Sequence, residues 1–247
     1  MEVDLKNKIV VVTGGATGIG YSIAENFSKQ SATVIILDLN EDTGKQAIER
    51  LGIDKTVFVK CDLKTDIDRA FNEIVEKYKR IDVLVNNAGV GGTDYKTCID
   101  INFTACVTLS LKLYHYNMSR DERTESTIIN ISSIMGYRIS QFSPIYQATK
   151  AGMITFTRSL GHEENLQKSG VRVVALCPGF TKTNLTRPFF EEDTSSIPAD
   201  LLAYAMAHTW QEPSDVGSAS LEVFKRAPSG SIWLIEGGNL EEILFQN

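Results

Sequence analysis

The stretch Ile9-Val10-Val11-Val12-Thr13-Gly14-Gly15-Ala16-Thr17-Gly18-Ile19-Gly20 decides the fold. Its first four residues are consecutive β-branched side chains without polar alternation, the pattern of a strand buried on both faces. Gly14, Gly18 and Gly20 then follow in a G-x-x-x-G-x-G spacing and open onto an amphipathic run at 19–31. A glycine cluster alone is equally an ordinary turn. Between a strand and a helix it lets backbone approach a pyrophosphate, and the helix N-terminus offers unpaired N–H groups and a positive dipole end. Gly14, Thr17, Gly18, Ile19 and Gly20 are therefore candidate phosphate-binding positions.

The same rhythm runs outward along the chain. Apolar runs at 9–13, 33–38, 57–61, 81–86, 127–132, 171–177 and 231–234 predict strands. Helical patterning marks 19–31, 41–51, 65–78, 101–118 and 143–168; in the third of these Ile67, Ala70, Phe71, Ile74 and Tyr78 share one face. This alternation predicts an α/β fold. Residues 1–247 read as a single doubly wound, Rossmann-type domain with a parallel sheet of about seven strands and helices on both faces. Residues 184–207, NLTRPFFEEDTSSIPADLLAYAMA, break the rhythm. A lid over a substrate is the functional reading of that segment, and an oligomer contact or a plain surface loop is the alternative.

Composition narrows the function classes. With 43% hydrophobic and 23% charged residues, disorder, collagen-like repeats and coiled coil are excluded. A net charge of −6 argues against a nucleic-acid footprint or a basic membrane patch. No apolar run approaches the ~18 residues of a membrane span, and the first residues lack a signal-peptide pattern. Cys61, Cys98, Cys106 and Cys177 have no zinc or redox spacing and read as reduced thiols. His115, His162 and His208 are scattered, so no metal is expected, and the expected location is the cytoplasm.

Several polar residues end strands. Asp38 closes the second, where a carboxylate accepts both hydroxyls of an adenosine ribose and repels a 2′-phosphate, which favours NAD over NADP. Its competing use is as a helix-cap partner, although Asn40 is also available for that. Asp62 and Leu63 follow the third strand, beside the expected adenine edge, and Asn87-Ala88-Gly89 follow the fourth. Tyr146 and Lys150 stand four apart on one helix face, Ser133 ends the fifth strand, and Asn102 sits inside a long helix. Singly each has a bland structural explanation. Together, in this order, they do not.

The chain resembles the NAD-preferring branch of the short-chain dehydrogenase/reductase family. The resemblance runs from Lys8 to about Trp233 and rests on Thr13-Gly14-x-x-x-Gly18-Ile19-Gly20, Asp62, Asn86-Asn87-Ala88-Gly89, Asn102, Ser133, Tyr146-x-x-x-Lys150 and Pro178-Gly179-x-x-x-Thr183. Residues 232–241 are similar to the tail of fly alcohol dehydrogenase, and the opening half resembles 15-hydroxyprostaglandin dehydrogenase-like members. Hydride exchange between an alcohol carbon and nicotinamide needs a group that takes the hydroxyl proton. Tyr146 is that candidate, its ordinary pKa near 10 brought down by the Lys150 ammonium and the charge of NAD+. Lys150 would also hold the nicotinamide ribose, and Ser133 the substrate oxygen. The resemblance further implies that Asn102 interrupts its helix and holds a water linked to Lys150. It also implies that Pro178, Gly179, Thr181 and Thr183 orient the nicotinamide.

The expected substrate is a small apolar alcohol or ketone: aliphatic, oxylipin, isoprenoid or steroid. Ser133, Met135, Tyr146, Phe180 and Phe189 are its candidate contacts. Arg138, Lys182 and Arg187 are either carboxylate partners or solvated cations. A homodimer or homotetramer is implied by the resemblance, with Ala105, Val107, Leu109, Leu111, Ile154 and Phe156 either pairing or filling the core. The apolar tail at 241–247 is read as docking on a partner subunit or on the lid. Two rival functions remain: an NADPH-type carbonyl reductase in lipid or hormone metabolism, and a non-catalytic dinucleotide-binding scaffold or sensor.

Overall fold

In the computed structural model, which describes residues 5–91, 94–120, 124–191 and 193–245, β1 (Ile9–Thr13) is central and buried at every position. Val10 and Val12 enter the core on one side of the sheet, Ile9 and Val11 the core on the other. That two-sided burial is why the strand reads as an unbroken apolar run. From β1 the chain passes through α1 (Gly18–Lys29), β2 (Thr33–Asp38), α2 (Glu41–Leu51), β3 (Thr56–Lys60) and α3 (Ile67–Tyr78). β4 (Val83–Asn86) leads to α4 (Tyr95–Ile99), a π-helical turn at Asp100–Thr104 and α5 (Ala105–Met118). Next come β5 (Ser126–Ile131), α6 (Pro144–Leu160), α7 (Glu163–Ser169) and β6 (Val171–Pro178). The remainder is β7 (Phe180–Thr181), α8 (Ala199–Met206), β8 (Trp210–Gln211), α9 (Pro213–Arg226), β9 (Ile232–Glu236) and β10 (Asn239–Glu242).

The main sheet runs β3-β2-β1-β4-β5-β6-β9-β10. Seven strands are parallel, as expected, and β10 adds an antiparallel edge. β7 and β8 form a separate short parallel pair. The winding order reverses between β1 and β4, which opens a crevice at the carboxyl ends of those strands. α1 and α9 cover one face, where Phe27 is fully buried. α3 and α5 cover the other, around Phe71, Leu109 and Leu113. No helix among the described residues is long and apolar enough to cross a membrane.

Two predicted helices differ from the structure. The one at 143–168 divides after Leu160 at Gly161, which passes so close to Gly230 that a Cβ would lie 2.5 Å from its nitrogen. The His162 ring then accepts a hydrogen bond from the Glu164 N–H and starts α7. The one at 101–118 begins instead in α4 and passes through the π turn that contains Asn102.

Candidate active site

The glycine turn is fastened to the loop after β4. Thr13 Oγ1 accepts the Asn87 and Ala88 N–H groups, both at 3.0 Å, and donates to the Val85 carbonyl at 3.3 Å. Asn87 Nδ2 in turn donates to the carbonyls of Thr13 (2.9 Å) and Gly14 (3.1 Å). Gly14 has φ of +61°, and Gly20 lies so close to the turn that a Cβ would stand 2.1 Å from the Gly14 oxygen. Thr17 precedes α1 without making a side-chain cap, so side chains leave the first N–H groups of that helix available to an anion. Asp38 Oδ2 accepts the Ala16 N–H at 3.1 Å, which fixes the carboxylate beside the turn. Asn40, not Asp38, caps α2 through Asp42 and Thr43. Thr183 arrives from beyond β7 and packs over Gly18. Asp62 Oδ1 accepts the Lys64 N–H at the end of β3, with Leu63 packed against the core beneath it. A cradle closed to any Cβ, an uncapped helix start and a fixed carboxylate fit a dinucleotide.

A buried polar network positions the reacting end. Asn86 Nδ2 donates to Ser110 Oγ and Asn130 Oδ1, and Asn130 Nδ2 donates to Thr157 Oγ1 at 2.8 Å. These bonds tie β4 and β5 to α5 and α6. Asn102 is 1% exposed. Its Oδ1 accepts the Val90 N–H at 2.8 Å and its Nδ2 donates to the Val90 carbonyl at 3.0 Å. Nδ2 also lies 3.3 Å from Thr149 Oγ1, which itself donates to the Tyr146 carbonyl at 2.7 Å.

Ser133, Tyr146 and Lys150 are brought together. The Ser133 side chain is near enough to the Tyr146 hydroxyl to favour its ionised form, and the Lys150 ammonium lies 5.6 Å from the centre of the Tyr146 ring. Lys150 Nζ donates to the Ile131 carbonyl at 2.8 Å. Burial pushes Tyr146 up to about 12, against the influence of the Ser133 hydroxyl, which works downward. Burial likewise pushes Lys150 down to about 8, against the negative charge that the thiols of Cys106, Cys177 and Cys98 would carry. The chain's own groups therefore leave the phenol above its ordinary value. The lowering expected from Lys150 is not achieved by this arrangement alone.

Beyond the hydroxyls stands an aromatic wall. Met135 Sδ accepts the Tyr204 hydroxyl at 3.8 Å, and the Tyr204 ring lies 5.3 Å from Phe142, 6.2 Å from Phe180 and 4.6 Å from His208. Trp210 packs against Phe180 (5.0 Å) and Phe189 (6.0 Å) at a tilt and meets Phe190 edge-on (4.3 Å). Among the described residues no group of three or more His, Cys, Asp or Glu is placed to hold a metal.

The sequence model of the short chain dehydrogenase family matches residues 8–194. The chain belongs to this family. It is 35% identical to 15-hydroxyprostaglandin dehydrogenase [NAD(+)] of Rattus norvegicus over 196 residues, which is 76% of this chain and 74% of the relative. An uncharacterised oxidoreductase of Staphylococcus saprophyticus is 31% identical over 225 residues, covering 87% of this chain and 95% of that one. Among solved structures, a 3-ketoacyl-(acyl-carrier-protein) reductase from Brucella melitensis complexed with NADH superposes with a TM-score of 0.79 at 25% identity. That alignment covers 95% of this chain and 98% of the other.

Sequence reasoning singled out Met135, Phe180 and Phe189 and covered Tyr204 only as part of the lid segment, but it missed two wall residues of this short-chain dehydrogenase: His208 and Trp210. The available signal was aromatic density on either side of α8. The three cations near the site are partly or largely exposed, as the solvated reading has it, and each also pairs with a carboxylate of the chain. Arg138 is held by Glu236 (2.8 Å), Lys182 by Glu212 (2.5 Å) and Arg187 by Glu191 (3.0 Å). The tail docks on its own chain: the Phe245 ring meets Tyr137 edge-on at 6.5 Å and lies under the Arg158 guanidinium at 5.0 Å. Of the residues read as either pairing or core, Ala105, Leu109 and Ile154 are core, while Val107, Leu111 and Phe156 are partly exposed.

Proposed function

We propose that this chain is an NAD-dependent oxidoreductase that interconverts an apolar, secondary alcohol and its ketone, with Tyr146 as the acid/base. The observation that carries the reading is the convergence of the Ser133 hydroxyl on the Tyr146 hydroxyl, with the Lys150 ammonium beside the same ring. A hydroxyl seated between Ser133 and Tyr146 is within reach of one group that fixes its oxygen and one that exchanges its proton. When bound, the dinucleotide supplies the nicotinamide ring that accepts or returns the hydride.

The chain's residues hold that cofactor in sections. Gly14 and Thr17 through Gly20 take the pyrophosphate, Asp38 the adenosine ribose, Asp62 and Leu63 the adenine, and Asn87, Ala88 and Gly89 the backbone side of the crevice. Tyr146 and Lys150 contact the nicotinamide ribose, and Pro178, Gly179, Thr181 and Thr183 orient the ring. Asn102 holds the post-β4 loop in place and links Lys150 toward solvent. Residues 184–207 act as a lid on this single domain, with Met135, Phe180 and Phe189 facing the substrate. An NADPH-type reductase is disfavoured by the fixed Asp38 carboxylate. A non-catalytic scaffold is disfavoured by a lysine buried at the cost of its own desolvation.

The test is production of NADH, followed by its near-ultraviolet absorbance, from a panel of secondary alcohols, isoprenols and steroids with NAD+ and NADP+ in parallel. NAD+ is expected to be preferred. Asp38→Ala should narrow that preference by about tenfold or more, the value of one charge-assisted hydrogen bond. An unchanged cofactor ratio in Asp38→Ala would remove the carboxylate from this role.

A further inference from the structure

We infer that the substrate is a long, uncharged lipid alcohol and that alcohols bearing a carboxylate are turned away at the mouth of the site. This rests on the dehydrogenase reading above and adds the substrate's length and charge. The length comes from an apolar rim outside the wall. Leu185, at the start of the lid, meets the loop after β4 so closely that a Cβ on Gly91 would lie 2.9 Å from its Cδ1. Phe190 leans on Trp210 at 4.3 Å, and Ile145 sits one residue before Tyr146. Gln141 Nε2 donates to Asp200 Oδ2 at 3.4 Å and joins the loop before α6 to α8, which carries Met206. Leu185, Phe190, Ile145 and Met206 are each 40–49% exposed. Exposed apolar surface therefore lies on the lid, on α8 and at the start of α6, the elements that border the site. A short alcohol covers none of it; an alkyl chain does.

The charge comes from an independent observation. Residues 184–207 carry one arginine against four carboxylates, Glu191, Glu192, Asp193 and Asp200, which is half of the chain's net charge of −6. The cations on the surrounding segments are already engaged. Arg138 donates to both oxygens of Glu236, which itself abuts Gly179. Lys182 is paired with Glu212 and Arg187 with Glu191. A substrate carboxylate would have to displace a protein carboxylate while facing the rest of an acidic lid, and like charges at an entrance reduce both encounter and affinity.

The experiment measures kcat/KM with NAD+ for alkan-2-ols of four to ten carbons. It adds an (ω−1)-hydroxy fatty acid and its methyl ester, at low and high salt. We expect about a three- to fourfold rise per added methylene until the rim is covered. The ester should exceed the acid by about tenfold at low salt, with the gap shrinking as salt screens the lid. Replacing Glu191→Gln, Asp193→Asn and Asp200→Asn together should narrow the acid–ester gap. A flat chain-length series, or an acid turned over as well as its ester, would overturn the inference while leaving the dehydrogenase reading intact. NADH from none of these alcohols would overturn the dehydrogenase reading and this inference with it.

Discussion

Lys150 is only 3% exposed, and its ammonium donates to the Ile131 carbonyl at 2.8 Å. Burial lowers it to about 8 from an ordinary 10.5, so the folded chain holds this proton less tightly than the unfolded chain does. The penalty is fully present below about pH 8 and is relieved as pH rises toward 10.5. A shift of this size corresponds to about 3 kcal/mol. Tyr146 acts in the opposite sense. Raised to about 12, it stabilises the fold below its ordinary pKa of 10, and that contribution is lost as pH rises toward 12. Lys150→Met should therefore melt several degrees above the parent at pH 7, with the difference narrowing by pH 9.5, while losing turnover. Thermal melts of both proteins at the two pH values check this, and a variant that melts lower at pH 7 would contradict it. The two pKa directions also define what catalysis requires. Bringing the phenol from about 12 to 8 takes about 5 kcal/mol. With the Lys150 ammonium already in place, that stabilisation falls to the positive charge of a bound dinucleotide.

At the scale of elements, the turn between β1 and α1 is the tightest joint in the site. A Cβ on Gly20 would stand 2.1 Å from the Gly14 oxygen and 2.5 Å from Asn87 Nδ2. Gly20→Ala must therefore move α1 off the turn, at a cost of about 1–3 kcal/mol. We expect a lowered melting temperature and at least tenfold weaker NAD binding by calorimetry; parental affinity would mean that the cradle does not hold the cofactor. This joint was legible in the sequence because glycine spacing and apolar runs report local geometry directly. So were β1, β2 and α2, whose predicted bounds match the structure. Other elements were not read. β10 is a polar edge strand, Asn239–Glu242, without an apolar pattern. Its one signal was Gly237-Gly238, whose φ values of +57° and +79° make a two-residue hairpin turn. α9 was announced only by its start, where Glu212 and Asp215 form a capping box with Pro213 at the first position. The π turn around Asn102 was expected from the family resemblance, not from any local pattern. The clustering of Tyr204, His208 and Trp210 on Phe180 depends on how β7 pairs with β8, which no short-range pattern encodes.

At the scale of the whole molecule, the partly exposed Val107 and Leu111 line a groove with Phe71 and Tyr116 on the outer side of α3 and α5. We propose that this face pairs two copies of the chain. Light scattering should then report at least a dimer, and Val107→Glu with Leu111→Glu should shift it toward monomer; a parental mass for the double variant would place the interface elsewhere. The site itself is assembled from distant parts of one chain. Asp38 ends the second strand, Asn102 sits in the π turn, Ser133 follows the fifth strand, and all of the aromatic wall except Phe142 comes from the last third of the sequence. What unifies them is the proposed proton exchange at Tyr146, and the most direct test is Tyr146→Phe. The substitution removes one hydroxyl and leaves the ring in its packing. With an apolar secondary alcohol and NAD+, we expect NADH formation to fall by about a thousandfold, while the dissociation constant for NAD stays within about twofold of the parent. Turnover by Tyr146→Phe close to the parental rate, with NAD bound normally, would contradict the account at its centre.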